Sequence, residues 1–292
     1  MEIERSSLEN MPQFEIQVEP NIVVKKPQID YKKALQDFLK SEFLEFTLAV
    51  GCPVQCLRYC PQEVFIKKYG NKVRLMSFEV FKQILAKVPT SAGIIFSGFC
   101  EPFVNSDFVR MAEYAYYNGY KLLVFTTLYG AKTSDVERLL NLEYSGFCLH
   151  LRDGQVINFP LSPEYEHNVF RVIEGLPNVT FSLMNELFTT NNRENVTRGV
   201  LPISKHVGFC SKLVTPQFVV LPSGSVQLCC NDFGLQHVVG NLLKEDYATI
   251  KKRFLAKKCS YHLCEYCSRS VPYTRHLYDK MTAKAKKIAG LK

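Results

Sequence analysis

Cys52, Cys56 and Cys60 stand four residues apart in the stretch GCPVQCLRYCP, residues 51–61. Thiolates are ligands for soft metals and for iron–sulfur clusters. A structural zinc site closes with four ligands, and a catalytic one draws on His and carboxylates. No His lies within 50 residues of this stretch on either side. Three thiolates without a local fourth ligand suit a four-iron cluster that leaves one iron open to a small molecule. A disulfide framework would not crowd three thiols into nine residues, and three incidental buried cysteines would not need this spacing.

A second set of thiols lies near the C-terminus: Cys210, Cys229, Cys230, Cys259, Cys264 and Cys267. Cys210, Cys229, Cys264 and Cys267 could close an all-thiolate zinc site or hold a second cluster. Cys230 and Cys259 neighbour that set, as spare ligands, buried thiols or hydrogen-atom donors. Cys148 falls in an alternating strand and reads as core, and Cys100 as a packing residue in a turn. The six His residues show no ligand spacing.

The elements that must position these residues follow a βα pattern. EFTLAV (45–50) is an apolar strand that ends in the first cysteine loop, and further strands are expected at 93–98, 121–127, 146–151 and 178–184. Helical stretches lie between them at 77–88, 106–119, 134–142 and 162–176, several opening on a Ser or Asp cap. Short apolar strands alternating with helices indicate a parallel sheet buried on both faces. The expected fold is therefore α/β, a partial (β/α) barrel with parallel strands, whose ligands gather at the C-terminal strand ends. The cysteine loop, SGFCEP, TTLYG and LRDG all follow strands and so collect at that mouth.

Residues 1–42 read as an extended arm and a short helix (30–41), 43–200 as the partial barrel, and 201–292 as a small C-terminal domain. That last part holds a hairpin around Pro-Ser-Gly (217–230), a helix at 244–258, a cysteine loop and a final helix at 271–290.

Bulk composition narrows the function classes. The 292 residues are 47% apolar and 22% charged, as in an ordinary globular protein. No apolar run approaches a membrane span and the polar N-terminus has no signal-like segment, so a cytoplasmic protein is expected. Eleven cysteines in a reducing compartment point to metal binding or catalysis. The net charge of +8 favours an anionic ligand or an acidic partner, without the dense basic stripe that nucleic acid requires. Its strongest basic run, MTAKAKKIAGLK (281–292), reads as a solvated terminal helix.

The cysteine loop, with Tyr59 just before its last Cys, resembles the cluster loop of radical S-adenosylmethionine (radical SAM) enzymes. Their usual pattern is C-x3-C-x2-C, and one extra residue here makes it C-x3-C-x3-C. FSGFCEP resembles the family's second-strand motif, with Cys100 in place of the usual Gly and with Glu101 and Pro102 kept. The resemblance implies that Ser97, Gly98, Glu101 and Pro102, with Thr126, Thr127, Arg152 and Asp153 on the next strand ends, bind SAM. Cys210-x13-Gly224-x4-Cys229 followed by Cys264-x2-Cys267 is similar to the SPASM/twitch auxiliary-cluster signature, and the shorter twitch form fits better. NNRENV (191–196) resembles the segment that often precedes that domain, and the likeness covers about residues 43–270.

What the resemblance implies is a protein with two 4Fe-4S clusters and SAM as cofactors. Cys52, Cys56 and Cys60 would ligate the SAM-binding cluster, and Cys210, Cys229, Cys264 and Cys267 the auxiliary one. An electron from a flavodoxin- or ferredoxin-type donor would cleave SAM, and the 5′-deoxyadenosyl radical would take hydrogen from a substrate carbon. The 42 residues before the first strand are shorter than the leader-binding domain of peptide-modifying members, which favours a small molecule such as a sugar or aminocyclitol. Dehydrogenation with the auxiliary cluster as electron acceptor is the expected reaction. Epimerisation with Cys230 or Cys259 as hydrogen donor, peptide maturation, and a non-catalytic zinc-binding module stand as alternatives.

Overall fold

The computed structural model describes residues 42–54, 56, 60–183, 208–210, 216–256, 264 and 270–272. Its first strand, β1 (Phe43–Phe46), turns Leu44 and Phe46 into the main apolar core, and Glu45 is buried as well. Burial on both sides is the condition of a parallel strand covered by helices. β2 (Gly93–Phe96), β3 (Leu122–Thr126), β4 (Gly146–Leu151) and β5 (Val179–Leu183) follow, each parallel to the strand before it. Parallel neighbours cannot be joined by a tight turn, so helices cross between them. These are α1 (Gln62–Tyr69), α2 (Phe78–Leu85), α3 (Phe108–Tyr117), α4 (Thr133–Leu139) and α5 (Pro163–Gly175).

The sheet continues on the other side of β1. β6 (Gly208–Cys210) lies apart from it, while β7 (Gln217–Val220) pairs parallel with β1, with Glu45 opposite Val219. β8 (Ser225–Gln227) and β9 (Val238–Asn241) add antiparallel edges, and α6 (Tyr247–Leu255) packs on β9. The order is β5-β4-β3-β2-β1-β7-β8-β9, a mostly parallel sheet that does not close into a barrel. Strand order departs from β1 in both directions. Open α/β sheets bind ligands beyond the carboxyl ends of strands at such a divergence.

Local chemistry explains the helix starts. Ser77, Ser162 and Asp246 each accept a backbone N–H from the first turn that follows, and Pro163 sits where its missing N–H costs nothing. α3 buries Phe108, Met111, Ala112 and Ala115, an i, i+3, i+4, i+7 face. Edge contacts between Phe46 and Phe81 (4.9 Å) and between Phe96 and Phe108 (5.1 Å) join strands to helices. Two smaller apolar clusters contact the loop that leaves β1. One holds Phe65, Tyr69, Phe99 and Phe233; the other holds Val54, Val156, Ile157 and Phe159.

Several expectations change. The first strand begins at Phe43 and ends at Phe46, because Ala49 turns aside to bridge Leu75. α1 was not anticipated. A helix beginning at residue 271 is excluded at its start: Ser270–Pro272 is β10, antiparallel to β6. Pro272 supplies no N–H and disfavours helix in the residue before it. The arm and helix before residue 42, Tyr59, residues 191–196, Cys259, Cys267 and the remainder of 273–292 lie outside the described residues. Among the described residues no helix is long and apolar enough to cross a membrane.

Candidate active site

The loop after β1 carries its thiols into a cavity of about 280 Å³, lined by Cys52, Cys56 and Cys60 together. Cys60 N donates to Cys56 O at 3.0 Å, a backbone bond between the second and third thiol positions. Cys52 and Cys56 pack against the Val54/Ile157/Phe159 cluster, and Cys60 against the Phe65/Phe99/Phe233 cluster. A hydrogen bond from the Cys100 thiol lowers the pKa of Cys52, against the effect of burial, and the same contact raises that of Cys100. Among the described residues no three His, Cys, Asp or Glu side chains converge on a single-ion site. A four-iron cluster takes one thiolate per iron, so its ligands stand around a volume rather than a point, and this lining fits it.

Strand-end residues form another part of the lining. Ser97, Gly98, Glu101 and Thr127 line the cavity. Gly98 has φ +76°, and a Cβ there would lie 2.1 Å from Thr47 Oγ1, so only glycine fits. Its N–H donates to Glu45 Oε1 (3.0 Å), and Phe99 N donates to Thr47 Oγ1 (3.1 Å). Glu101 is buried, and burial raises its pKa against the pull of its donors. Its Oε1 accepts from the Thr126 hydroxyl and from Phe103 N (3.4 Å), its Oε2 from Thr127 N and Oγ1, both at 2.7 Å. Four donors fill the four lone-pair positions of a carboxylate, so Glu101 ties β3 to the turn after β2. Pro102 opens the short 3-10 helix that follows.

Arg152 and Asp153 do not line the cavity. Arg152 Nε donates to Phe159 O (2.7 Å) and its Nη2 to Asn158 Oδ1 (2.8 Å). Asp153 Oδ1 accepts from the N–H groups of Gln155, Val156 and Ile157. The pair builds the loop whose apolar residues support Cys52 and Cys56.

The cavity also contains groups the sequence reading did not single out: Glu45, Gln62, Phe125, His150, Ser182, Gln217 and Asn231. Gln217 Nε2 donates to Glu45 Oε2 across the β1–β7 pair. His150 lies 6.0 Å from Phe125, ring to ring, and burial lowers its pKa. A signal for Glu45 and His150 existed, since each is a polar residue within an apolar strand. Gln217 carried none, because its strand finds β1 only in three dimensions. Among the described lining residues there are two carboxylates and no Lys or Arg.

Of the second cysteine set, Cys210 ends β6 and Cys229 follows β8, where Asn231 N donates to its sulfur at 3.4 Å. The β6–β10 pairing sets Cys210 opposite Ser270, three positions past Cys267 in sequence. Cys264 is half-buried. Buried Asp232 accepts from Gln236 N (3.0 Å) and His237 N (2.8 Å), pinning the loop that begins at Cys229. Cys230 lines the same cavity as Cys52, Cys56 and Cys60. Cys148, half-buried on β4, does not.

This architecture matches solved structures. BtrN in complex with AdoMet and 2-DOIA superposes with a TM-score of 0.52 at 20% identity, over 73% of this chain and 83% of that one. BtrN in an open conformation gives 0.50 at 18% identity, over 77% and 91%. The chain has the fold of radical SAM enzymes. Streptococcus suis SuiB bound to precursor peptide SuiA lies further off, with a TM-score of 0.48 at 11% identity, over 81% of this chain and 72% of that one. No family profile and no curated protein sequence matches the chain. On the radical SAM fold described here, the three loop thiols stand beyond β1, where the sheet diverges.

Proposed function

We propose that the chain is a radical SAM enzyme that removes a hydrogen atom from a carbon of a small polar molecule, a sugar or aminocyclitol, and oxidises an alcohol there. The observation that carries this reading is convergence: Cys52, Cys56 and Cys60 share one cavity with Ser97, Gly98, Glu101 and Thr127, at the divergence of a parallel sheet. Its substrate class draws support from the fold shared with BtrN, whose complex holds AdoMet and 2-DOIA. When bound, the cofactors supply one-electron chemistry: reductive cleavage of SAM at a cluster on the three loop thiols, and electron acceptance at an auxiliary cluster on Cys210, Cys229, Cys264 and Cys267.

The chain's own residues position and exclude. Gly98 lets the backbone after β2 pass close to β1, which sets the wall beside the thiols. Glu101 holds that wall to β3 through Thr126 and Thr127, and its carboxylate gives the cavity negative charge that favours an ammonium group. Pro102, Arg152 and Asp153 act one layer out, by shaping the loops. Val54, Phe99, Phe125 and Phe233 keep water from the reacting carbon. The net charge of +8 suits an acidic electron-donor protein of the flavodoxin or ferredoxin type.

Iron and sulfide analysis of anaerobically prepared protein tests this, beside a Cys52/Cys56/Cys60→Ala triple variant. Two clusters mean about eight irons per chain, falling to about four in the variant, with 5′-deoxyadenosine formed from SAM by the wild type alone. Zinc without iron, in protein supplied with iron and sulfide, would leave the metal-stabilised binding module instead.

Epimerisation is a second reading, because Cys230 lines the same cavity. Its thiol would return a hydrogen atom to the opposite face of the carbon. Thiol hydrogens exchange with solvent, so turnover in D2O would place deuterium on the product carbon and Cys230→Ser would abolish that label. A ketone product without solvent label selects dehydrogenation.

A further inference from the structure

Gln62 opens α1, is buried, and divides its amide between the cysteine loop and the turn after β2. Its Oε1 accepts from Cys52 N (3.3 Å), and its Nε2 donates to Cys60 Sγ (3.1 Å) and to Phe99 O (2.6 Å). One side chain thus joins the first and third thiol positions to each other and to the turn after β2. The orientation is fixed by its partners: reversed, the amide oxygen would face a carbonyl and a sulfur, and the NH2 would face an N–H. Gln62 N also donates to Cys60 O at 2.9 Å, so backbone and side chain grip the same residue. The bond from Cys60 N to Cys56 O ties the second thiol position to the same residue.

We infer that Gln62 is a positioning residue that closes the C-x3-C-x3-C loop and raises the reduction potential of the cluster bound there through its N–H···S bond to Cys60. The inference rests on the cluster reading above. Reduction adds negative charge that spreads onto the thiolate sulfurs, and an N–H dipole aimed at one of them stabilises the reduced form more than the oxidised form. Hydrogen bonds to cluster sulfurs are among the determinants of potential, and outer contacts of this kind orient ligands as well.

Gln62→Met keeps the volume and removes both the donor and the acceptor. With iron content unchanged, the cluster whose EPR signal responds to SAM should titrate at a more negative potential than in wild type, and an unchanged potential overturns the inference. If the variant loses iron, wild-type protein labelled with 15N at the glutamine side-chain amide decides the matter. Pulsed EPR of the reduced, SAM-responsive cluster should show a 15N hyperfine coupling that vanishes when the label is omitted. Its absence in iron-replete protein overturns the inference while leaving the cluster reading intact. Protein that takes up no iron at all overturns both.

Discussion

Gly98 and His150 face the same cavity for opposite reasons, one by having no side chain and the other by presenting a half-buried imidazole. Gly98→Ala forces a Cβ into left-handed backbone, a cost of about 1–2 kcal/mol, and drives it into Thr47 Oγ1. The expected outcome is a lowered urea midpoint and loss of 5′-deoxyadenosine formation. Thr47→Ala in the same chain should recover part of the stability, and a double-mutant cycle measures that coupling. His150 has a pKa held below its ordinary 6.5 by burial. The folded chain therefore binds fewer protons here than the unfolded chain, so stability is present above 6.5 and is lost as pH falls below it. Melting temperatures should drop between about pH 7 and about pH 5, and drop less in His150→Gln. Equal losses in the two proteins would show that this imidazole is not buried in its neutral form.

At the scale of elements, α1 and the turns after β2 and β8 are clamped together by rings. Phe65 lies 4.8 Å from Phe99 and 6.3 Å from Phe233, and Phe99 lies 4.6 Å from Phe233. Cys60 and Cys230 pack on this cluster, so it fixes the distance between the loop thiols and the C-terminal segment. Phe65→Ala should cost about 3–5 kcal/mol. It should also lower iron content at the loop site more than at the auxiliary site, read as loss of the SAM-responsive EPR signal. Equal loss of both signals would mean global unfolding and no local clamp.

Across the whole molecule, β1 links the two halves of the sheet. Residues 43–46 pair with β2 on one edge and β7 on the other, and the β7 residues Phe218, Val219 and Val220 are buried. Ending the chain at residue 207 would leave the β1 edge unpaired and its apolar partners missing, a template for aggregation. The truncated protein should be insoluble or lack a cooperative unfolding transition. In the full chain, far-ultraviolet circular dichroism and tyrosine signals should report one shared transition. Separate midpoints would show that the segment after residue 207 folds as its own unit.

Much of this was legible in the sequence because its causes are local. Apolar runs announce β1 to β5. Apolar periodicity, helped by the Ser77 and Ser162 caps, announces the helices between them except α1, which starts at Pro61 without a side-chain cap. Thiols four residues apart announce their chemistry without help from the rest of the chain. Side-chain period and capping act over a few residues, so sequence alone carries them. Tertiary structure decided the rest. The contact of Glu45 with Gln217 spans 172 positions, and that of Gln62 with Phe99 spans 37. Arg152 and Asp153, set beside the cavity by motif, spend their side chains on their own loop. Cys230, one of several C-terminal thiols in sequence, reaches the cavity because β7 chose β1. Strand partners are selected by the packing of the whole core, and no window of sequence contains that competition.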